Sequence, residues 1–268
     1  MEIVGYFSAV VIGISLGLIG GGGSILTVPV LIYLFKVDKI LATSYSLFIV
    51  GITSLFGTVN YNKKGLINLK TAIIFGIPSI LSVFITRRYL LPLIPDEIVD
   101  LDFILITKEL LIMVLFAVMM IAASYSMIKN PTFKNEGNRP EPQVFNYPLI
   151  AIEGLIVGAL TGMVGAGGGF LIIPALVVLS KLPMKEAIGT SLLIIAAKSL
   201  IGFAGEMSQI NLDWLFLIII TLLSIVGLFI GMMLSKKIDG DKLKPAFGWF
   251  VLVMGVYILL SEFIFIEK

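Results

Sequence analysis

Long apolar runs broken by short polar turns fill this chain. Ten apolar segments stand out, at about 3–19, 24–36, 40–59, 69–94, 105–128, 148–165, 169–180, 186–205, 212–235 and 244–264. A helix of about 20 apolar residues crosses a hydrocarbon core of about 30 Å, and most of these runs approach that length. The second and seventh are too short to span upright, and each follows a glycine cluster. The pattern predicts an all-α integral membrane protein, with short re-entrant or broken helices after glycine-rich turns.

The stretch 130–146 is rich in proline, asparagine and charge, the marks of a solvated linker. It separates a first transmembrane repeat, 1–129, from a second, 147–268, with five segments in each. The halves resemble one another. Gly17, Gly20, Gly21, Gly22, Gly23, Ser24, Leu26 and Pro29 answer Gly162, Gly165, Ala166, Gly167, Gly168, Gly169, Leu171 and Pro174. Ala42-Thr43-Ser44 pairs with Gly189-Thr190-Ser191, Ser54 and Gly57 with Ser199 and Gly202, and Ile67-Asn68-Leu69 with Ile210-Asn211-Leu212. The offset drifts by a few residues in this alignment. Internal two-fold repeats are common among transporters.

Loop cations set the expected orientation. If the segments alternate sides, or the short ones return as re-entrant pairs, one side holds Lys63, Lys64, Lys70, Lys129, Lys134, Arg139, Lys181, Lys185, Lys236, Lys237, Lys242 and Lys244. The other holds Lys36, Lys39, Arg87, Arg88, Lys108 and Lys268, beside the acidic residues Asp96, Glu97, Asp100, Asp102 and Glu109. The richer side is expected in the cytoplasm, with both termini outside. Five segments per half make the repeats inverted. Merging each short segment with its neighbour gives eight spans, parallel repeats and a weaker cation bias.

Composition agrees. Of 268 residues 58% are hydrophobic and 13% charged, against about 45–50% and about 25% in soluble domains. The net charge of +2 and the lack of a basic tract argue against nucleic acid. Without cysteine or histidine, disulfides, thiol nucleophiles and Cys/His metal sites are excluded. No carboxylate cluster is spaced for a metal, and no cofactor is expected. The first segment has Glu2 as its only charge; without a basic n-region it reads as a retained membrane element rather than a signal peptide.

Several residues are candidates for chemistry. Glycine is poor at propagating helices, and irregular backbone at membrane depth must be buried in protein or line a wet cavity. The two glycine turns, each leading into a short helix, therefore suit an anion near the midplane, with close helix packing as the competing reading. Lys198 stands mid-segment, where a lone ammonium costs a few kcal/mol or more. It reads as an anion-binding cation or as half of an ion pair. Its first-half counterpart is Thr53, which makes the site asymmetric. Glu153 reads as a partner for Lys198, a carrier of a coupling proton, or a hydrated group near the interface. Thr43, Ser44, Thr53, Ser54, Thr190, Ser191 and Ser199 can donate to substrate oxygens or to helix backbone. Pro29, Pro78 and Pro174 break or bend helices. Trp214 and Trp249 read as interface anchors.

The runs G-L-I-G-G-G-G-S-I-L-T-V-P and G-M-V-G-A-G-G-G-F-L-I-I-P, with the A-T-S and G-T-S triplets that follow, resemble the TauE/SafE family of sulfite and organosulfonate exporters. The resemblance covers nearly the whole chain. It implies outward transport of a small sulfur oxyanion or sulfonate across a prokaryotic plasma membrane, with the site between the halves. It carries over to Gly20, Gly21, Gly22, Gly23, Pro29, Gly165, Gly167, Gly168, Gly169, Pro174, Thr190 and Ser191. Lys198 and Glu153 rest on the residues alone.

The expected function is thus a secondary transporter working by alternating access. A passive anion channel and a non-transporting scaffold or sensor subunit are the competing readings. An intramembrane enzyme needs facing acids or a nucleophile–base pair, and Glu153 with Lys198 is too little. No nucleotide-binding motif is present, so the chain is not expected to use ATP directly. The expected partners are the anion and the lipid bilayer, and a homo-oligomer is left open.

Overall fold

Each apolar run becomes helical in the computed structural model, which describes residues 2–21, 23–90, 93–95, 97–101, 104–129, 146–164, 169–207 and 212–266. The first half contributes α1 (Glu2–Ile19), α2 (Gly23–Pro29), α3 (Lys39–Lys63), α4 (Leu69–Ile85) and α5 (Lys108–Lys129). The second contributes α6 (Tyr147–Val164), α7 (Gly169–Pro174), α8 (Met184–Glu206), α9 (Trp214–Lys237) and α10 (Gly240–Ile266). Among the described residues, six helices are long and apolar enough to cross a membrane, joined by the shorter apolar helices Val4–Ile19 and Tyr147–Met163. The fold is that of an all-α integral membrane protein with one local exception. The strands β1 (Glu97–Leu101) and β2 (Ile104–Thr107) form an antiparallel hairpin. The start of the fifth apolar run is therefore strand, because Ile104, Ile106 and Thr107 are β-branched residues that favour extended backbone. The linker read at 130–146 lies outside the described residues, apart from Asn146.

The short helices share one design. Each ends on a proline, Pro29 or Pro174, and runs on as a single π turn, Val30–Leu34 or Ala175–Leu179. Proline has no N–H to give to the α-helical ladder, and wider turns of this kind are tolerated as local bulges. Left-handed backbone follows at Lys36 (φ 59°) and Lys181 (φ 55°). The N–H groups of Val37 and Leu182 then close back on Leu31 and Leu176, at 3.0 and 2.9 Å. The chain doubles back at the first glycine cluster. Gly23 sits against Leu16 and the Ile12 carbonyl, while the Phe35 ring reaches Gly5 and lies 5.4 Å from Tyr6. Thus α1 and α2 form a helical hairpin rather than one broken helix.

Contacts between the halves recur with the halves exchanged. Helix α1 runs parallel to α9, Gly13 meeting the Ser224 carbonyl and Gly17 meeting Leu228 and Gly231. Helix α6 runs parallel to α4, Gly158 meeting the Ser79 carbonyl and Gly162 meeting Val83 and Thr86. Each pair of contacts matches the other at an offset of 145 residues, the spacing between the starts of α1 and α6 at Glu2 and Tyr147. The central helices α3 and α8 run antiparallel. Gly57 abuts Leu192 near one end of the crossing, and Gly202 abuts Leu47 near the other. Helices α5 and α10 are antiparallel too, with Gly248 at Ser124 and Met127 and Gly255 at Ala117 and Met120. Small residues allow these close approaches, which drive helix association in lipid.

The drifting offset read from the sequence is corrected here. Asn68 caps α4 by accepting from the Thr71 N–H at 3.0 Å, and Asp213 caps α9 by accepting from the Phe216 N–H at 3.1 Å. Asn68 therefore corresponds to Asp213 rather than Asn211, and Thr190 corresponds to Tyr45. A local alignment of short triplets slid by two residues because similar small residues recur on adjacent turns.

Burial grades outward from the centre. Of the apolar window of α3, and of that of α8, 67% is buried, against 33% for α4 and 33% for α10. Large apolar side chains such as Phe7, Ile77, Leu215, Val253 and Leu260 point out of the protein. Trp214 and Trp249 are exposed as well. Lipid accounts for an apolar exterior of this extent.

Candidate functional site

The crossing of α3 and α8 holds an unusual set of polar groups. Thr53 and Ser54 on α3, and Lys198 and Ser199 on α8, are all buried. They occupy the stretch between the Gly57–Leu192 contact and the Gly202–Leu47 contact. The hydroxyls of Thr53, Ser54 and Ser199 have no hydrogen-bond partner among the described residues. A buried polar group left unpaired costs about 1–3 kcal/mol, so such a cluster needs water or a ligand to complete it.

Lys198 is 8% exposed and its ammonium donates to the Thr161 hydroxyl on α6. No carboxylate of the described residues forms a salt bridge with it. The pairing of Lys198 with Glu153, one of the sequence expectations, is not made. Glu153 stands eight residues before Thr161 on α6, about 12 Å along a helix axis. It accepts from the Ser180 hydroxyl at 2.6 Å, just beyond the π turn after α7, and its Oε1 is buried without a partner among the described residues.

The remaining expected site residues divide. Gly20 takes positive φ, +79°, and a Cβ there would come within 2.9 Å of the Ser191 hydroxyl. This turn sits against Ile188 and Ser191, seven residues before Lys198 and about 10 Å along α8. Gly21 is buried, and Gly23 is packed against α1. The absent Cβ of Gly20 and of Gly23 therefore serves close packing. Gly169 opens α7 and is buried. Gly22, Gly165, Gly167, Gly168 and the side chain of Ser24 lie outside the described residues. Ser191 donates to the Ile188 carbonyl at 2.8 Å. The Thr190 hydroxyl accepts the Asn68 N–H at 3.0 Å, a structural tie. Thr43 is partly buried. Ser44 is buried and donates to Glu206 at 2.5 Å.

Two residues missed in the sequence act on Lys198, and a third, Glu206, meets one of them. Thr161 supplies its hydrogen bond. Arg87, in the π turn Thr86–Leu90 that follows α4, lies close enough for its charge to act on Lys198. Its Nη1 meets Glu206 Oε1 at 3.4 Å, with both side chains 33% exposed. Arg87 resembled an ordinary flanking cation in the sequence, and Glu206 an ordinary helix end. Gly162 of α6 packs against Thr86, the residue before Arg87.

Known proteins resemble this chain over most of its length. The family model described as "Sulfite exporter TauE/SafE" matches residues 6–258. A "Probable membrane transporter protein" of Xylella fastidiosa is 26% identical over 92% of this chain and 91% of its own length. One of Methanocaldococcus jannaschii is 27% identical over 93% and 92%. The Bacillus subtilis protein YunE, with the same description, is 28% identical over 77% and 80%.

Proposed function

We propose that the chain, which belongs to the sulfite exporter TauE/SafE family and is a membrane transporter, exports a small sulfur-containing anion, sulfite or an organosulfonate. Alternating access of two inverted halves moves the anion, and Lys198 binds it at the crossing of α3 and α8. One observation carries the reading: a buried ammonium at the centre of a membrane fold meets a neutral hydroxyl and no carboxylate of the described residues. A cation at membrane depth costs a few kcal/mol or more unless a counter-charge or water meets it. A substrate anion supplies that charge, and the unpaired hydroxyls of Thr53, Ser54 and Ser199 supply donors for its oxygens.

The antiparallel pairing of α3 with α8 and of α5 with α10 supports inverted halves. A two-fold axis lying in the membrane plane reverses every helix, so counterparts that meet on the axis run antiparallel. Alternating access around a fixed midplane site is the behaviour such repeats support. Glu153, a buried carboxylate with one unbonded oxygen, is the proton carrier of choice if transport is proton-coupled. The closeness of Lys185 and Lys236 to Lys64, on which their charges act, supports placing that end in the cytoplasm of a plasma-membrane protein and both termini outside. A tag on the N-terminus that is reached only after the membrane is breached speaks against that orientation.

The test is uptake of labelled sulfite by proteoliposomes, with and without unlabelled sulfite inside. Saturable uptake accelerated by internal substrate is expected. Flux that neither saturates nor shows counterflow makes the protein a channel.

A further inference from the structure

We propose that transport is coupled to protons, that Glu153 binds and releases one proton in each cycle, and that Ser180 passes its charge state to the short helix α7. The inference rests on the transport reading above and supplies its coupling ion and the part that responds.

The two halves differ at equivalent positions. Phe35 and Ser180 each close a π turn, their N–H groups bonding to the Val30 and Ala175 carbonyls, and both pairs keep the offset of 145 residues. In the first half the Phe35 ring ties that turn to α1. It reaches Gly5, lies 5.4 Å from Tyr6, and lies 5.0 Å from Phe216 on α9. In the second half the Ser180 hydroxyl ties the turn to α6, donating to Glu153 Oε2 at 2.6 Å. The first-half counterpart of Glu153 is Ser8, which donates to the Val4 carbonyl of its own helix. One short helix is thus held by aromatic packing and the other by a bond to an acid.

Glu153 is 3% exposed, and its Oε1 has no hydrogen-bond partner among the described residues. No cation of the described residues forms a salt bridge with it. Of the charged groups on the elements around it, Lys70 on α4 and Lys181 beyond the π turn are exposed. Lys129 on α5 bonds to the Tyr125 hydroxyl at 2.9 Å, and Lys198 on α8 bonds to Thr161. Lys185 and Glu186 are partly buried at the start of α8. A charged carboxylate in such a place is costly. A proton taken at Oε1 from the water on one side removes the charge, and its release to the other side restores it. The Ser180 bond responds, because a hydrogen bond to an ionised acceptor is about twice as strong as one to a neutral acceptor. Proton uptake therefore loosens α7 from α6 and proton release fastens it, while the Phe35 tie is unchanged.

The test uses the full-length protein in proteoliposomes, with labelled sulfite and the membrane potential clamped at zero. An imposed pH gradient is expected to drive net sulfite flux in the unsubstituted protein. Glu153→Gln is expected to lower that gradient-driven flux at least about tenfold and to keep counterflow at equal pH within about threefold. Sulfite's own protonation is the same in both proteins, so the difference reports Glu153. Ser180→Ala is expected to cut the gradient response about threefold or more, and Phe35→Leu to leave it unchanged. A Glu153→Gln protein that follows the pH gradient normally overturns the inference. So does a folded Glu153→Gln protein that loses counterflow along with gradient-driven flux, and so does flux that follows a sodium gradient instead. Should Glu153→Gln fail to fold, Ser180→Ala and Phe35→Leu decide: equal responses in the two reject the inference. Absence of counterflow in the unsubstituted protein defeats the transport reading itself. Counterflow without any effect of the pH gradient defeats the proton coupling alone.

Discussion

The backbone N–H of Asn68 donates to the Thr190 hydroxyl at 3.0 Å, and its counterpart Asp213 donates to the Tyr45 hydroxyl at 2.8 Å. Each half thereby anchors the cap of its fourth helix on the third helix of the other half. Loss of one such bond costs about 0.5–1.5 kcal/mol. Thr190→Val and Tyr45→Phe are expected to lower the thermal unfolding midpoint in detergent by similar amounts and to leave the KM for the transported anion unchanged. A KM shift in Thr190→Val alone restores that residue to the substrate site.

The ammonium of Lys198 is expected to matter through its charge. Lys198→Gln is predicted to weaken anion affinity by at least about tenfold, roughly 1.4 kcal/mol, while the purified protein stays folded because a buried charge has been removed. Thr161→Val leaves the ammonium without its hydroxyl and is predicted to have a smaller effect in the same direction. Binding measured by calorimetry or by protection from thermal unfolding checks both.

Gly13 and Gly158 should be intolerant positions. A Cβ on either runs into a backbone carbonyl, that of Ser224 or of Ser79, which cannot yield as a side chain can. Gly13→Ala and Gly158→Ala are expected to destabilise by about 1–3 kcal/mol through overpacking. Gly205, with nothing within 4 Å of its added Cβ, is the control. Gly205→Ala should be neutral or stabilise slightly, by up to about 1 kcal/mol, as alanine favours helix. Unfolding midpoints that do not separate the three variants contradict the packing.

The chain has no cysteine, so crossing geometry can be tested with introduced pairs. Cysteines at Leu47 and Gly202, or at Gly57 and Leu192, should cross-link under mild oxidation, since each pair spans an observed contact of α3 with α8. The mismatched pair at Leu47 and Leu192 should not. Cross-linking of the mismatched pair is the outcome a parallel arrangement requires.

Lys64 lies just beyond α3. Burial, then the charges of Lys236 and Lys185, holds its ammonium below the usual lysine range. Its charged form is thus less favourable in the folded state than in the unfolded one. Folding is penalised below the folded value, and stability recovers as pH rises through that value toward the ordinary lysine range. Lys64→Gln should raise the unfolding midpoint at neutral pH. The gain should shrink at high salt and disappear once the pH passes the lysine range. A gain that persists there assigns the effect to packing instead.

The sequence by itself determined the class of fold and the number of apolar segments, and it pointed to two related halves. Those follow from local quantities: run length against bilayer thickness, glycine and proline as breakers, and composition. It also singled out Lys198, because a lone cation within an apolar run is conspicuous without any knowledge of its neighbours. The partner of that lysine was not legible. Glu153 was the acid set well inside an apolar segment, yet the tertiary fold gives it to Ser180 and gives Lys198 to Thr161. Arg87 and Glu206 looked like segment-end charges because their meeting depends on how the end of α4 lies against the end of α8. The constant offset between the halves was likewise hidden by repeated small residues and appeared through caps and helix contacts. Pairing across helices depends on rotation and depth, which apolar periodicity leaves undetermined, so the tertiary structure alone decided which polar groups share the site.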